Sequence, residues 1–256
     1  MNAHMRLRDL PVDRLTASPA LTPVLKWPGG KSRELAAIAA AAPPLTGRFI
    51  DPFVGGGSVL LAVPDEVEAW ANDAAADLVE LYRAAAEERW SFRVAVQGVA
   101  DAWDGLRLLD ELYRELAEDF LAGMSGLAVV RTERRARWLD GVVALAGPGL
   151  DAVFGARLAK DLPAKFERMR KIQLALDMRL SEMDLLDNVE GAVRSAFYMS
   201  IRARYNRARL SETWNEVRLA DFFFLREFTY AAMFRFNSRG EFNVTAPVDG
   251  IIVEGR

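Results

Sequence analysis

The chain has 256 residues, 51% hydrophobic and 27% charged, the composition of an ordinary globular protein long enough for one large or two modest cores. It contains no cysteine and one histidine, His4, which excludes disulfides, thiolate metal sites and cysteine nucleophiles and leaves histidine acid–base chemistry and zinc sites without material. The net charge of −3 speaks against a uniformly basic nucleic-acid binder. No apolar run reaches the roughly 18 residues of a membrane span, and the N-terminus lacks the apolar core of a signal peptide, so a cytoplasmic location is expected.

Residues 1–24, with prolines at 11, 19 and 23, read as an N-terminal arm. Next comes "LKWPGGKSREL", which looks like a phosphate-binding loop, but that loop needs a glycine five positions before Gly30 to open its turn, and Leu25 stands there. An alanine-rich helix is predicted from about Ser32 to Ala42, stopped by Pro43-Pro44. "GRFIDPFVGGGSVLLAV" then reads as strand, glycine turn and helix, and "VEAWAND" as a second short strand running into a helix from about Ala74 to Arg89. This is the opening of a doubly wound α/β unit, expected over residues 25–89.

From about residue 90 to 225 the periodicity is helical, broken near "AGPGL" at 146–150 and without an internal repeat. Within it, Gly191 to Leu210 carries five arginines and no acidic residue, interleaved with Phe197, Tyr198 and Tyr205, a pattern that suits a polyanion or, equally, a solvated helix with its aromatics turned inward. "FRFNSRGEFNVTAPV" alternates large and polar residues about Ser238-Arg239-Gly240, so a β-hairpin is expected over 226–248, followed by a tail at 249–256.

The glycine turn lies where a doubly wound sheet binds a nucleotide-like cofactor, with Gly55, Gly56 and Gly57 letting the backbone approach a ligand. Asp73 ends the second strand, where an acidic side chain can accept both ribose hydroxyls. A dinucleotide fingerprint is incomplete, because Leu60 replaces its third glycine. A merely structural tight turn would leave the same pattern.

Taken together and in order, "KWPGGK", "DPFVGGGSV", the "ND" at the end of the next strand and "RFNSRGEFNV" after a helical insertion resemble the Dam-type (D12 class) family of DNA adenine-N6 methyltransferases, which use S-adenosylmethionine (SAM). The resemblance runs from about Val24 to Val244 and is concentrated in those four blocks. It implies that Trp27, Gly29, Gly30 and Lys31 help enclose SAM, with Lys31 near the methionine carboxylate. It also implies that Asp51 to Ser58, including Phe53, form the loop under the methionine part, and that Asp73 holds the ribose. The hairpin resembles the family's target-recognition hairpin, which implies base-edge contacts in the major groove of double-stranded DNA from Arg235, Asn237 and Asn243. Arg239 would do the same or hold a phosphate. Tyr230 falls where the family places an aromatic that enters the base stack. Ala231 and Thr245 depart from the family's usual asparagine and proline, so the recognised sequence does not carry over. For backbone phosphates the candidates are Arg202, Arg204 and Arg207, whose replacement by alanine should lower the salt dependence of DNA binding.

The family's catalytic Asp-Pro-Pro-Tyr is absent from these residues: Asp51-Pro52-Phe53 belongs to the glycine motif, and Pro43-Pro44 lies between Ala42 and Leu45. Most of the family's parallel sheet also follows the hairpin, where few residues remain. The expected fold is therefore a partial Rossmann-like α/β methyltransferase sheet with a large helical insertion and a hairpin, completed by a partner chain. The expected protein is the SAM-binding, DNA-reading subunit of an obligate heterodimer, with no catalytic residue of its own, no metal and no membrane contact. The alternatives are a non-catalytic DNA-binding remnant and a truncated single-chain enzyme. An RNA substrate is disfavoured because RNA's deep major groove would not admit such a hairpin.

Overall fold

The computed structural model describes residues 14–17, 21–124, 133–229 and 235–245, with the backbone alone for 133–138. His4, most of the expected N-terminal arm, Tyr230, Ala231 and the tail at 249–256 lie outside the described residues. The chain divides into two compact units, Met1–Arg83 and Ala84–Arg256.

In the first unit, helix α1 (Leu35–Ala41) ends at Ala42, whose extended backbone precedes Pro43 as the proline ring requires. Strands β1 (Phe49–Asp51) and β2 (Ala69–Ala71) form a two-stranded parallel sheet with Phe49 opposite Ala69, Ile50 opposite Trp70 and Asp51 opposite Ala71. Helix α2 (Ala76–Ala86) follows β2. A small core gathers Leu15, Leu35 and Ala62, with Ile38, Phe49, Val59 and Val63 packed against it.

The helix expected after the glycine turn does not form. Residues Leu60–Ala62 make a single 3-10 turn and Val63 is already extended, because Pro64 disfavours helical backbone at the residue before it. Between β1 and β2 the chain therefore crosses over on turns alone.

The second unit is helical: α3 (Trp90–Gly105), α4 (Asp110–Leu121), α5 (Glu133–Ala144), α6 (Asp151–Leu176), α7 (Glu182–Leu210) and α8 (Glu216–Phe228). Helix α7 starts at a capping box, in which the Ser181 hydroxyl accepts from the Asp184 amide at 3.1 Å and the Ser181 amide donates to Asp184 at 3.2 Å. Asn215 caps α8 by accepting from the Arg218 amide at 2.8 Å. The core is aromatic: the Trp103 ring lies 4.9 Å from Phe228, 5.3 Å from Phe224 and 6.0 Å from Phe197, centroid to centroid. Helix α8 runs to Phe228, so the first residues assigned to the hairpin from the sequence, 226–228, are helical. Among the described residues the hairpin is reduced to one antiparallel bridge, Phe236 with Phe242, around a turn. No helix among the described residues is long and apolar enough to cross a membrane.

Candidate functional site

In the first unit, two blocks separated in sequence converge on the glycine loop. The Trp27 carbonyl accepts from the Gly30 amide at 3.0 Å, closing a tight turn in which Gly29 has φ of +74°. That turn lays the indole against the loop: a Cβ on Gly55 would stand 3.0 Å from Trp27 Cδ1, and one on Gly56 3.2 Å from Trp27 Cβ. At Gly55 both the tight contact and a φ of +49° favour glycine, and at Gly56 the contact alone does. The hydroxyls of Ser32 and Ser58 meet at 2.9 Å and tie the two blocks together a second time.

Asp73 holds the loop from the other strand. Its carboxylate accepts from the Gly55 amide at 3.0 Å and from the Ala75 amide at 2.9 Å, one bond to each oxygen. A carboxylate has about four lone-pair sites, so roughly two remain for a ligand. Asp51 orders the start of the loop by accepting from the Phe53 amide at 3.1 Å. The sheet ladder continues past β1 through Asn72, whose amide donates to the Asp51 carbonyl at 2.8 Å and whose carbonyl accepts from Val54 at 2.9 Å. Lys31 is exposed, and Phe53 stands out at 83% exposure.

Tyr82, which the sequence did not single out, backs the loop. Its hydroxyl would lie 2.8 Å from a Cβ on Gly57, whose φ is +75°. That hydroxyl is buried without a hydrogen-bond partner, and burial, with Asp73 nearby, pushes it up to about 12. The phenol therefore stays neutral and acts as a spacer that admits only glycine in front of it.

In the second unit, the arginine-rich face of α7 turns out to be a clamp. The Arg202 guanidinium donates to the Val244 carbonyl at 3.0 Å, and Arg209 donates to the Gly240 carbonyl while its guanidinium lies 4.1 Å over the Phe236 ring. Asn206 makes a reciprocal pair with the Phe242 backbone, donating to its carbonyl at 2.9 Å and accepting from its amide at 2.8 Å. Nothing in the sequence marked Asn206.

Arg204 points inward. It is 7% exposed and grips Asp221 through two bonds of 2.9 and 2.7 Å, with further bonds to the carbonyls of Gly147 and Pro148 at 3.3 and 3.2 Å. A phosphate contact from Arg204 is incompatible with that position. Burial pushes the Asp221 carboxyl up to about 6 against the opposing pull of Arg204, still low enough for the pair to be ionised at neutral pH. Arg194 pairs with Glu190 at 3.1 Å and lies 4.0 Å over Trp103. Of the five arginines in the stretch, only Arg207 is exposed.

The hairpin divides its candidate readers in two. Asn237 organises the turn: its carbonyl oxygen accepts from the amides of Arg239 and Glu241 at 2.9 and 3.0 Å, and its amide nitrogen donates to the Glu241 carboxylate at 2.7 Å. Arg239 is exposed but donates to the same carboxylate at 3.0 Å. Arg235 and Asn243 are exposed and directly opposite, with the Asn243 amide 3.3 Å from the Arg235 carbonyl. They present their side chains together, while Phe242 and Val244 anchor the strand at 1% and 5% exposure. Tyr230 cannot be placed with them, being outside the described residues.

Residues 27–122 match the family model described as D12 class N6 adenine-specific DNA methyltransferase. The match takes in the Trp27 block, the glycine loop, Asp73 and helices α2 to α4, and it ends before α7 and the hairpin. No curated protein matches the chain.

Proposed function

We propose that the chain is the SAM-binding and DNA-reading subunit of a site-specific DNA adenine-N6 methyltransferase, with the catalytic Asp-Pro-Pro-Tyr supplied by a second polypeptide. The observation that carries this reading is the convergence on one loop: Trp27 packs on Gly55 and Gly56 while Asp73 holds Gly55 from the end of β2. The family match over residues 27–122 supports the adenine-methyltransferase part of this reading.

The donors present suit SAM. The remaining Asp73 lone pairs suit ribose hydroxyls, and exposed Lys31 suits a carboxylate. SAM supplies an already activated methyl group, so positioning is the protein's main task. Arg235 and Asn243 would read base edges in the major groove, Arg207 would meet a backbone phosphate, and Tyr230 would assist extrusion of the target adenine.

A second polypeptide fits the exposed apolar residues of the sheet. Ile50 is 61% exposed, Trp70 52% and Phe53 83%, and the sheet has two strands among the described residues. Two parallel strands with an open face and free edges gain little stability alone, and further strands and helices would cover both. In such a heterodimer the active site is composite, with the nucleotide loop on one chain and the residues that polarise the adenine amino group on the other.

Replacing Asp73 by alanine tests the cofactor half of this reading. The change removes the acceptor of the Gly55 and Ala75 amides, so SAM affinity measured by equilibrium dialysis on the assembled enzyme should fall at least about 30-fold, or about 2 kcal/mol. Unchanged affinity would separate the glycine loop from SAM.

A further inference from the structure

Helices α6 and α7 enclose a cleft of about 240 Å³ to which no role has yet been given. Arg157, Lys165 and Arg168 line it from α6, Ser195 lines it from α7, and Asp161 is its one carboxylate. The lining residues thus carry three cationic side chains against one carboxylate, which Arg157 bonds through Nε. Lys165 is only 8% exposed, an unusual position for an ammonium, and a charge held away from water attracts an anion more strongly than one on the surface. On the α7 side Gly191 and Ala192 are too small to fill the space.

The cleft lies on the helix face that holds the hairpin. Gly191, Ser195, Tyr198, Arg202, Asn206 and Arg209 follow one another at intervals of three or four residues, which places them on one side of α7. Tyr198, Arg202, Asn206 and Arg209 are the residues bonded to the hairpin backbone. Along the axis, Ser195 is about 10 Å from Arg202 and about 21 Å from Arg209 at 1.5 Å per residue. The major groove is about 12 Å wide, so a hairpin seated in it brings bordering phosphates within that range.

We propose that this cleft is a phosphate site that takes a backbone phosphate of the DNA beside the groove read by the hairpin. The chemistry is recognition of a phosphate oxyanion by a buried ammonium, guanidinium groups and a hydroxyl. Its assignment to DNA rests on the function proposed above, whereas its existence as an anion site does not.

The experiment uses the full chain and Arg168→Gln, a change at an exposed position that should leave the fold intact. Thermal unfolding is followed against inorganic pyrophosphate, with sodium chloride at matched ionic strength as control. Binding of duplex DNA is measured by anisotropy over a salt series. The expected result is a saturable rise in Tm with pyrophosphate that Arg168→Gln shifts at least about fivefold to higher concentration. With it should come a DNA salt slope lower by about 0.9, with equal weakening for every duplex sequence. A pyrophosphate effect that depends on Arg168 while DNA affinity and slope stay unchanged overturns the DNA assignment and marks a site for free phosphate compounds. If the chain binds no duplex at all, the function proposed above falls, and the pyrophosphate series still decides whether the cleft is an anion site. Absence of any Arg168-dependent pyrophosphate effect, with the DNA slope unaltered, overturns the proposal entirely.

Discussion

Arg204→Ala should destabilise the helical unit by about 3–5 kcal/mol, the usual cost of leaving one partner of a buried ion pair alone. The loss is read as a lower urea midpoint with an unchanged m-value. Three parts of the unit meet at this guanidinium: α7, Asp221 on α8, and the carbonyls of Gly147 and Pro148. The Asp221 side chain is fully buried, and Arg204 is the partner that pulls its carboxyl down. Without Arg204 that carboxyl rises further above its ordinary value of 3.8. A carboxyl raised in the folded state contributes stability at low pH and loses it as pH climbs through the folded value, so the deficit should be smaller at pH 5 than at pH 8. Arg207→Ala, at an exposed position, should leave the urea midpoint within about 0.5 kcal/mol and lower the DNA salt slope instead. An Arg204→Ala protein of undiminished stability would place that side chain outside the core.

Gly57→Ala is the second large effect, and it acts on the glycine loop. The new methyl would meet the Tyr82 hydroxyl at 2.8 Å, and alanine would also have to adopt a φ of +75°. Steric overpacking costs about 1–3 kcal/mol, and the left-handed backbone about 1–2 kcal/mol more. We expect a loss of about 2–5 kcal/mol in the stability of this unit and of SAM binding with it. Tyr82→Phe removes the clashing atom together with a buried hydroxyl that has no partner, so by itself it should be neutral or stabilising by about 1 kcal/mol. In the double variant it should restore part of the Gly57→Ala loss, leaving the dihedral strain. Strictly additive effects would show that the two residues do not touch.

The glycine loop was legible in the sequence because its determinants are local. A strand followed by three glycines and an acidic residue at the end of the next strand are patterns that short stretches of chain impose on themselves, and the structure brings Trp27, Gly55, Gly56 and Asp73 together. The limit appeared one turn later, where Pro64 cut short the expected helix. That constraint is visible in the sequence as the proline directly after the apolar run 59–63.

The arginine-rich stretch shows where sequence reading stops. Charge along a chain states how many cations a helix carries but not which way they point. Arg204 finds its carboxylate 17 residues away on another helix, and Arg202 and Arg209 find backbone carbonyls more than 30 residues away in the hairpin. The same blindness hid Asn206, whose pairing with Phe242 depends on tertiary placement alone. Tyr82 was hidden for another reason: an aromatic in an amphipathic helix is usually core, and only its contact with Gly57 separates it from the others. Within the hairpin, residue type suggested four readers, yet Asn237 spends its amide on closing the turn and Arg239 is tied to Glu241. Arg235 and Asn243 are left exposed and opposite each other.

The most direct test of the whole account is transfer of labelled methyl from SAM to duplex DNA by this chain alone and by the material that co-purifies with it from its native cells. The account predicts incorporation at adenine N6 only in the co-purified sample, together with a bound polypeptide carrying Asp-Pro-Pro-Tyr or a close variant. Methylation by the isolated chain would contradict it by placing the catalytic groups within these 256 residues, and absence of methylation from both samples would contradict it by leaving the protein without the transfer reaction.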